Sequence, residues 1–148
     1  MVKVPPPIWL FLFLALAGLA SAIYPWKSIV DLTLMPLGIA LTIAGFLLSL
    51  WGRLIFAAEK TEVMPTSPTN TKLVTRGAFA VTRNPMYLGI LVFTLGIALW
   101  AGSLPMFAVP VLMFVVCNQI HIPFEEAKMR LQFGDAYDAY AARVRRWI

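Results

Sequence analysis

Four stretches of the chain carry almost no charge, and each approaches the length of a helix that crosses a bilayer, about 20 residues. The first runs from Ile8 to Tyr24, between Lys3 and Lys27, and the second from Leu32 to Ala57, interrupted only by Arg53 near its end. The third and fourth, Met86 to Gly102 and Leu104 to Ile122, share one chargeless interval between Arg83 and Glu125 and turn at Ala101-Gly102-Ser103-Leu104-Pro105. Arg53 needs no partner in the hydrocarbon, because a long cationic side chain close to a helix end reaches the headgroups. The pattern predicts an all-α integral membrane protein of about four transmembrane helices, over 8–24, 32–57, 86–102 and 104–122, in a single domain spanning 1–148.

Two polar segments complete the chain. The connection 58–85 contains Pro65-Thr66-Ser67-Pro68-Thr69-Asn70, a turn-rich stretch that regular helix excludes. Polar backbone is not tolerated against hydrocarbon, so this loop lies at the interface or covers a cavity in the protein. In the tail 123–148, Phe133, Tyr137, Tyr140, Val144 and Trp147 recur at intervals of four, three, four and three. That spacing predicts one stripe on a C-terminal amphipathic helix, lying on the membrane surface or over the bundle, with Gly134 separating it from an earlier helical turn.

Composition supports the bilayer as solvent: 60% of residues are hydrophobic and 13% charged, far from the balance of a soluble domain. With four spans, both termini and the 58–85 loop fall on one side. That side holds Lys3, Lys60, Lys72, Arg76, Arg83, Lys128, Arg130, Arg143, Arg145 and Arg146, with Arg53 at its border, and leaves only Lys27 opposite. Because short cytoplasmic loops carry the excess of Lys and Arg, the rich side is read as cytoplasmic. The net charge of +5 then reflects topology and affinity for anionic headgroups, and no nucleic-acid motif accompanies it. The first apolar run has an alternative reading as a secretory leader, with Gly18-Leu19-Ala20-Ser21-Ala22 as a small-residue cleavage pattern, which leaves three spans. One cysteine and one histidine make neither an internal disulfide nor a metal centre, so Cys117 is read as a small packed side chain.

Chemistry is concentrated in two clusters flanking the last hairpin. Leu73-Val74-Thr75-Arg76-Gly77-Ala78-Phe79 and Thr82-Arg83-Asn84-Pro85-Met86-Tyr87-Leu88-Gly89 precede it; His121-Ile122-Pro123-Phe124-Glu125-Glu126 follows it. A helical hairpin brings both clusters to the same membrane face. Glu125 and Glu126 are about 100° apart on a helix, so one is expected to face the bundle and the other water. An inward carboxylate needs a partner. Arg83 supplies one in a structural ion pair, a ligand in a binding site, and the residues alone leave both open.

Leu73 to Gly89 resembles the first signature of the isoprenylcysteine carboxyl methyltransferase and phospholipid methyltransferase superfamily. The stretch Glu125-Glu126, Phe133-Gly134, Tyr137, Tyr140, Val144, Arg146-Trp147 resembles its second. Together they cover about half the chain, in the family's order and separated by a helical hairpin. The resemblance implies a methyltransferase that uses S-adenosylmethionine at the cytoplasmic face and takes a lipophilic acceptor from the bilayer. Matching positions imply cofactor contacts from Lys72, Leu73, Val74, Phe79, Asn84, Pro85, Met86, Tyr87 and Glu125. Arg83 is expected to organise the loop or hold the cofactor carboxylate.

The sequence departs from the family pattern at several places. Phe79 stands where a tyrosine is usual, keeping the ring and losing the hydroxyl, and Asn84 stands for histidine, keeping hydrogen bonding without protonation. Thr71 occupies the place of a histidine in eukaryotic members, and His121 that of their substrate-anchoring arginine, which exchanges a permanent charge for a titratable one. Methyl transfer from a sulfonium requires in-line alignment and exclusion of water, and no covalent nucleophile. A carboxylate or thiolate acceptor needs no base. An amine or thiol does, and Glu126 and His121 are the nearby candidates for substrate or proton handling. Two alternatives compete: a non-catalytic scaffold of the same fold, recognisable by an empty or collapsed pocket between the two signatures and a fully paired Glu125, and a small-lipid reductase, for which the chain is short.

Overall fold

The computed structural model describes residues 4–26, 31–59 and 72–148. Its elements are α1 (Pro6–Ile23), α2 (Met35–Ala58), a short 3-10 turn (Gly77–Ala80), α3 (Pro85–Ala101), α4 (Leu104–Val116), a π-helical turn (Cys117–His121), α5 (Ile122–Phe133) and α6 (Asp135–Arg143). The turn-rich stretch 65–70 and Thr71 lie outside the described residues, as do Lys3, Lys27 and Lys60. Among the described residues there is no strand.

Prolines set where the helices begin. Each of α1, α2, α3 and α4 has proline in its first turn, where the missing N–H would have been unpaired anyway. Three helices are long and apolar enough to cross a membrane: Pro6–Ile23, Met35–Ala58 and the continuous helix Leu104–Phe133; Pro85–Ala101 is a shorter apolar helix of 17 residues. At 1.5 Å per residue, 17 residues reach the lower end of the spanning range. The lipid-facing surface is apolar, with Phe11 71% and Phe46 57% exposed. The protein is an all-α membrane protein.

Antiparallel neighbours are fixed by short contacts. Leu34 N–H donates to the Leu99 carbonyl at 2.9 Å, joining the start of α2 to the end of α3. Ser103 Oγ meets Ser21 Oγ at 2.9 Å, joining the start of α4 to the end of α1. Along α2, Gly38, Thr42, Gly45, Ser49 and Gly52 form a heptad stripe of small residues against Gly89 and Gly96 of α3. A Cβ on Gly38 would sit 2.7 Å from the Gly96 carbonyl oxygen, and one on Gly89 would sit 2.6 Å from that of Gly45. The two backbones therefore touch, the packing that lipid-embedded helices use in place of hydrophobic burial. Ser49 Oγ adds a hydrogen bond to the Met86 carbonyl at 2.9 Å, fixing α2 against the first turn of α3.

Three expectations from the sequence need correction. The helix of the last span does not end near Ile122: it continues from Leu104 to Phe133, so Glu125 and Glu126 extend from it. The π turn lies just before Pro123, with Ile122 N–H donating to the Cys117 carbonyl five residues back. Proline cannot donate and its ring crowds the preceding turn, and a widened turn relieves that without ending the helix. The amphipathic stripe is also not a single helix. Gly134, at φ 48° and ψ −127°, separates α5 from α6 as expected, but α6 stops at Arg143 and Val144 is extended. Finally, neither of the adjacent glutamates faces open water: Glu126 is buried and Glu125 half-buried.

Candidate functional site

At the polar end of the bundle, the segment 72–87, α5 and α6 enclose a cleft whose empty space, open mouth included, is about 780 Å³. Lys72, Leu73, Val74, Phe79 and Arg83 line it from the loop, Asn84, Pro85, Met86 and Tyr87 from the start of α3, and Glu125 and Glu126 from α5. Phe56, Lys128, Met129, Tyr137 and Tyr140 complete the wall. Phe56 carries no family signature, and its place follows from its ring, 5.0 Å from that of Phe79 at 76°.

The 3-10 turn sets the loop. Gly77 adopts φ 60°, a left-handed conformation that glycine takes without strain, and Ala78 and Phe79 are buried against Ile55 and Val74. Tyr140 of α6 donates its hydroxyl proton to the Phe79 carbonyl at 2.7 Å, docking α6 on this turn. Burial raises the pKa of Tyr137 and Tyr140 above the ordinary phenol value, so both hydroxyls stay protonated. At the loop's outer edge Glu59 accepts from Arg76 at 2.6 Å and Lys72 at 3.4 Å, and the Arg76 hydrogen bond lowers its pKa.

The two glutamates have separate partners. Tyr87 donates its hydroxyl to Glu125 Oε1 at 2.6 Å. Glu126 receives Arg83 Nη2 at 3.2 Å and Arg146 at 2.7 Å and 3.1 Å, so a buried carboxylate is held between two guanidiniums. Its hydrogen bonds to Glu126 also raise the Arg146 pKa above the ordinary arginine value. Arg83 is itself nearly enclosed, with its side chain 13% exposed, and its Nε–H has no hydrogen-bond partner among the described residues.

The extended tail forms a strap behind the cleft, which the helical reading of the stripe missed. Arg83 N–H donates to the Arg145 carbonyl at 3.0 Å, while Thr82 Oγ1 and the Asn84 side-chain amide both donate to the Arg146 carbonyl, at 3.1 and 2.8 Å. Asn84, expected to contact a cofactor, therefore lines the cleft with its amide engaged by the tail. Trp147 donates to Asn118 Oδ1 at 3.1 Å and lies 5.3 Å from the Phe114 ring. The helical spacing of Val144 and Trp147 concealed this, because a strap paired through its carbonyls to a loop leaves no periodic signal.

His121 does not line the cleft. It is fully buried within the continuous helix, with its ring 6.2 Å from that of Tyr87 and both nitrogens without hydrogen-bond partners among the described residues. Cys117 is buried and unpaired, as expected of a packed side chain. Among the described residues no group of three or more His, Cys, Asp or Glu side chains is placed to hold a metal ion.

Residues 33–136, which include the α2/α3 pair, the cleft loop and the paired glutamates, match the model of the phospholipid methyltransferase family. The chain belongs to that family. It is also 36% identical over 63 residues to an uncharacterized protein of Haemophilus influenzae, a match covering 43% of this chain and all of the relative. No solved structure matches it. The family and the helices together make it a membrane methyltransferase, and the cleft is lined by residues of both signatures.

Proposed function

We propose that this membrane methyltransferase binds S-adenosylmethionine in the cleft and transfers its methyl group to a lipophilic acceptor that enters from the bilayer. The observation that carries this reading is the charge arrangement of the wall: Glu125 presents a carboxylate and Arg83 a guanidinium with an unpartnered Nε–H, among the rings of Phe56, Phe79 and Tyr87. A ligand with an ammonium, a carboxylate and a flat heterocycle meets all three kinds of group, and a buried unpaired donor is costly until it does. The cleft is open and only one Glu125 oxygen is paired with Tyr87, features that argue against a collapsed scaffold.

When bound, the sulfonium supplies an electrophilic methyl group. The chain's own contribution is placement. Glu125, fixed by Tyr87, holds a positive group; Arg83 holds a negative one; Lys72, Leu73, Val74, Asn84, Pro85 and Met86 form the contact surface, and the rings exclude water. Glu126 is assigned to the wall, because both its oxygens are engaged by guanidiniums and accepting a proton would cost those bonds. His121 stays assigned to the acceptor side, behind Tyr87, because its two ring nitrogens have no partner among the described residues. The acceptor is a membrane-embedded carboxylate, thiol or amine. By the distribution of Lys and Arg, the cleft faces the cytoplasm of a bacterial cell, with both termini on that side.

Calorimetry on purified protein in detergent tests the assignment. Wild type is expected to bind S-adenosylmethionine, and Glu125→Ala to lose about tenfold or more in affinity, the worth of a charge-assisted hydrogen bond. Well-folded wild type that does not bind the cofactor overturns it.

A further inference from the structure

We infer that Arg146 is a positioning residue that keeps Arg83 charged toward the cleft by neutralising Glu126, and so makes the site competent for a ligand carboxylate. The inference rests on the cofactor reading above.

Arg83 and Arg146 are cations, Glu126 is an anion, and the three form one cluster with a surplus of one positive charge. The division of Glu126 between them is unequal. Arg146 reaches both carboxylate oxygens, at 2.7 Å to Oε2 and 3.1 Å to Oε1, in the paired geometry that suits a guanidinium. Arg83 touches only Oε1, at 3.2 Å, and its Nε–H stays unpartnered although the side chain is nearly enclosed. Arg83 lines the cleft. Arg146 does not, so any effect it has on a ligand passes through the cluster. Its place is fixed independently by the strap: its carbonyl accepts from Thr82 and Asn84, and its Nη1 approaches Asn118 Oδ1 at 3.4 Å.

Without Arg146 the balance changes. Glu126, buried and deprived of its bidentate partner, would take Arg83 as its whole counter-charge, and the surplus positive charge would vanish from the wall. The cleft would keep its shape and rings and lose the attraction that Arg83 offers an anion. Two cations besides Arg83 line the cleft, Lys72 and Lys128, and either is a rival for the ligand carboxylate.

The test separates charge from scaffold. The full-length protein in detergent is titrated with S-adenosylmethionine, with its decarboxylated analogue and with methylthioadenosine, which lacks the amino-acid portion. Arg146→Met is expected to weaken S-adenosylmethionine about tenfold or more and the two ligands without a carboxylate less than threefold, since the lost interaction is charge-assisted. Arg146→Lys, which retains the charge, is expected to stay near wild type. The double variant Arg146→Met/Glu126→Gln is expected to regain most of the affinity, because removing the anion releases Arg83 again. A merely structural role predicts the opposite, with the double variant no better than the single. Equal weakening of all three ligands, an unaffected Arg146→Met, or a double variant without recovery overturns the inference; unchanged binding would pass the carboxylate to Lys72 or Lys128. If Arg146→Met fails to fold, the double variant and Arg146→Lys carry the comparison. Failure of wild type to bind S-adenosylmethionine is a separate outcome, and it overturns the cofactor reading first.

Discussion

Tyr87 donates its hydroxyl to Glu125 across 2.6 Å, so the first turn of α3 holds the first turn of α5 at the wall of the cleft. The two residues are 38 apart in sequence, and the hairpin between them brings them together. Each signature thus completes the other: Tyr87 comes from the first, Glu125 from the second. Tyr87→Phe removes one hydrogen bond to a carboxylate and keeps the ring against His121. The expected result is a lower melting temperature in detergent, equivalent to about 1.5–3 kcal/mol for a bond to a charged group. Loss of cofactor affinity should be smaller than for Glu125→Ala, because the carboxylate remains. Thermal melts with and without S-adenosylmethionine check both statements.

The contact of α2 with α3 predicts an asymmetry among glycines. A Cβ at Gly45 would lie 2.5 Å from the Gly89 carbonyl oxygen, which backbone cannot yield without separating the helices. A Cβ at Gly18 would meet only the flexible end of Met106, at 3.8 Å. Gly45→Ala is therefore expected to destabilise by about 1–3 kcal/mol, the range for overpacking, and Gly18→Ala to be neutral or slightly stabilising by helix propensity. Melting of the two variants side by side decides it, and equal effects would show that the α2/α3 contact is looser than described.

How much of this was legible in the sequence depends on which physical quantity each feature obeys. The spans were legible because charge is excluded from hydrocarbon, and the turn at Gly102 because a left-handed residue between two apolar runs favours glycine; it has φ 66°. The end of the last span was not, because a run of apolar residues marks the hydrocarbon boundary and not the end of a helix; backbone hydrogen bonds continue through Glu125 and Glu126 to Phe133. The ten residues expected around a cofactor do gather on one cleft, as motif order and a hairpin require. The division of labour between Glu125 and Glu126 depended on Arg146, whose position in an extended strap no helical period announces. The small-residue stripe of α2 was readable from the sevenfold spacing of Gly38, Gly45 and Gly52, but against a run of large apolar side chains it was overlooked.

Gly134 tests a backbone effect free of packing. Its φ of 48° and ψ of −127° fall where residues with a Cβ are strained, yet nothing lies within 4 Å of a Cβ built there. Gly134→Ala should therefore cost about 1–3 kcal/mol through conformation alone. The strain is localised between α5 and α6, so the expected consequence is partial release of α6 from Phe79. Limited proteolysis should cut Gly134→Ala near residues 133–136 faster than wild type. Equal cutting would mean that α6 holds its place without the special backbone angle.

The last prediction concerns orientation, which the proposed cytoplasmic cleft requires. In a Cys117→Ser background, single cysteines replace Lys27, Asn70 and Ile148, and intact cells are treated with a thiol reagent that does not cross membranes. Cys117 is buried, so its replacement by the similarly sized serine removes background labelling with little disturbance. Only the Lys27→Cys variant is expected to react in intact cells; Asn70→Cys and Ile148→Cys should react after the membrane is opened. The reasoning is that four crossings return the loop before α3 and the tail to one side, and that the side with most Lys and Arg stays in the cytoplasm. Reaction of 70 and 148 from opposite faces would remove one crossing, and α3, the shortest of the apolar helices, would be the one in question. Reaction of both from outside would keep the four-helix arrangement and invert it, and the methyl donor would then have to reach a cleft on the external side.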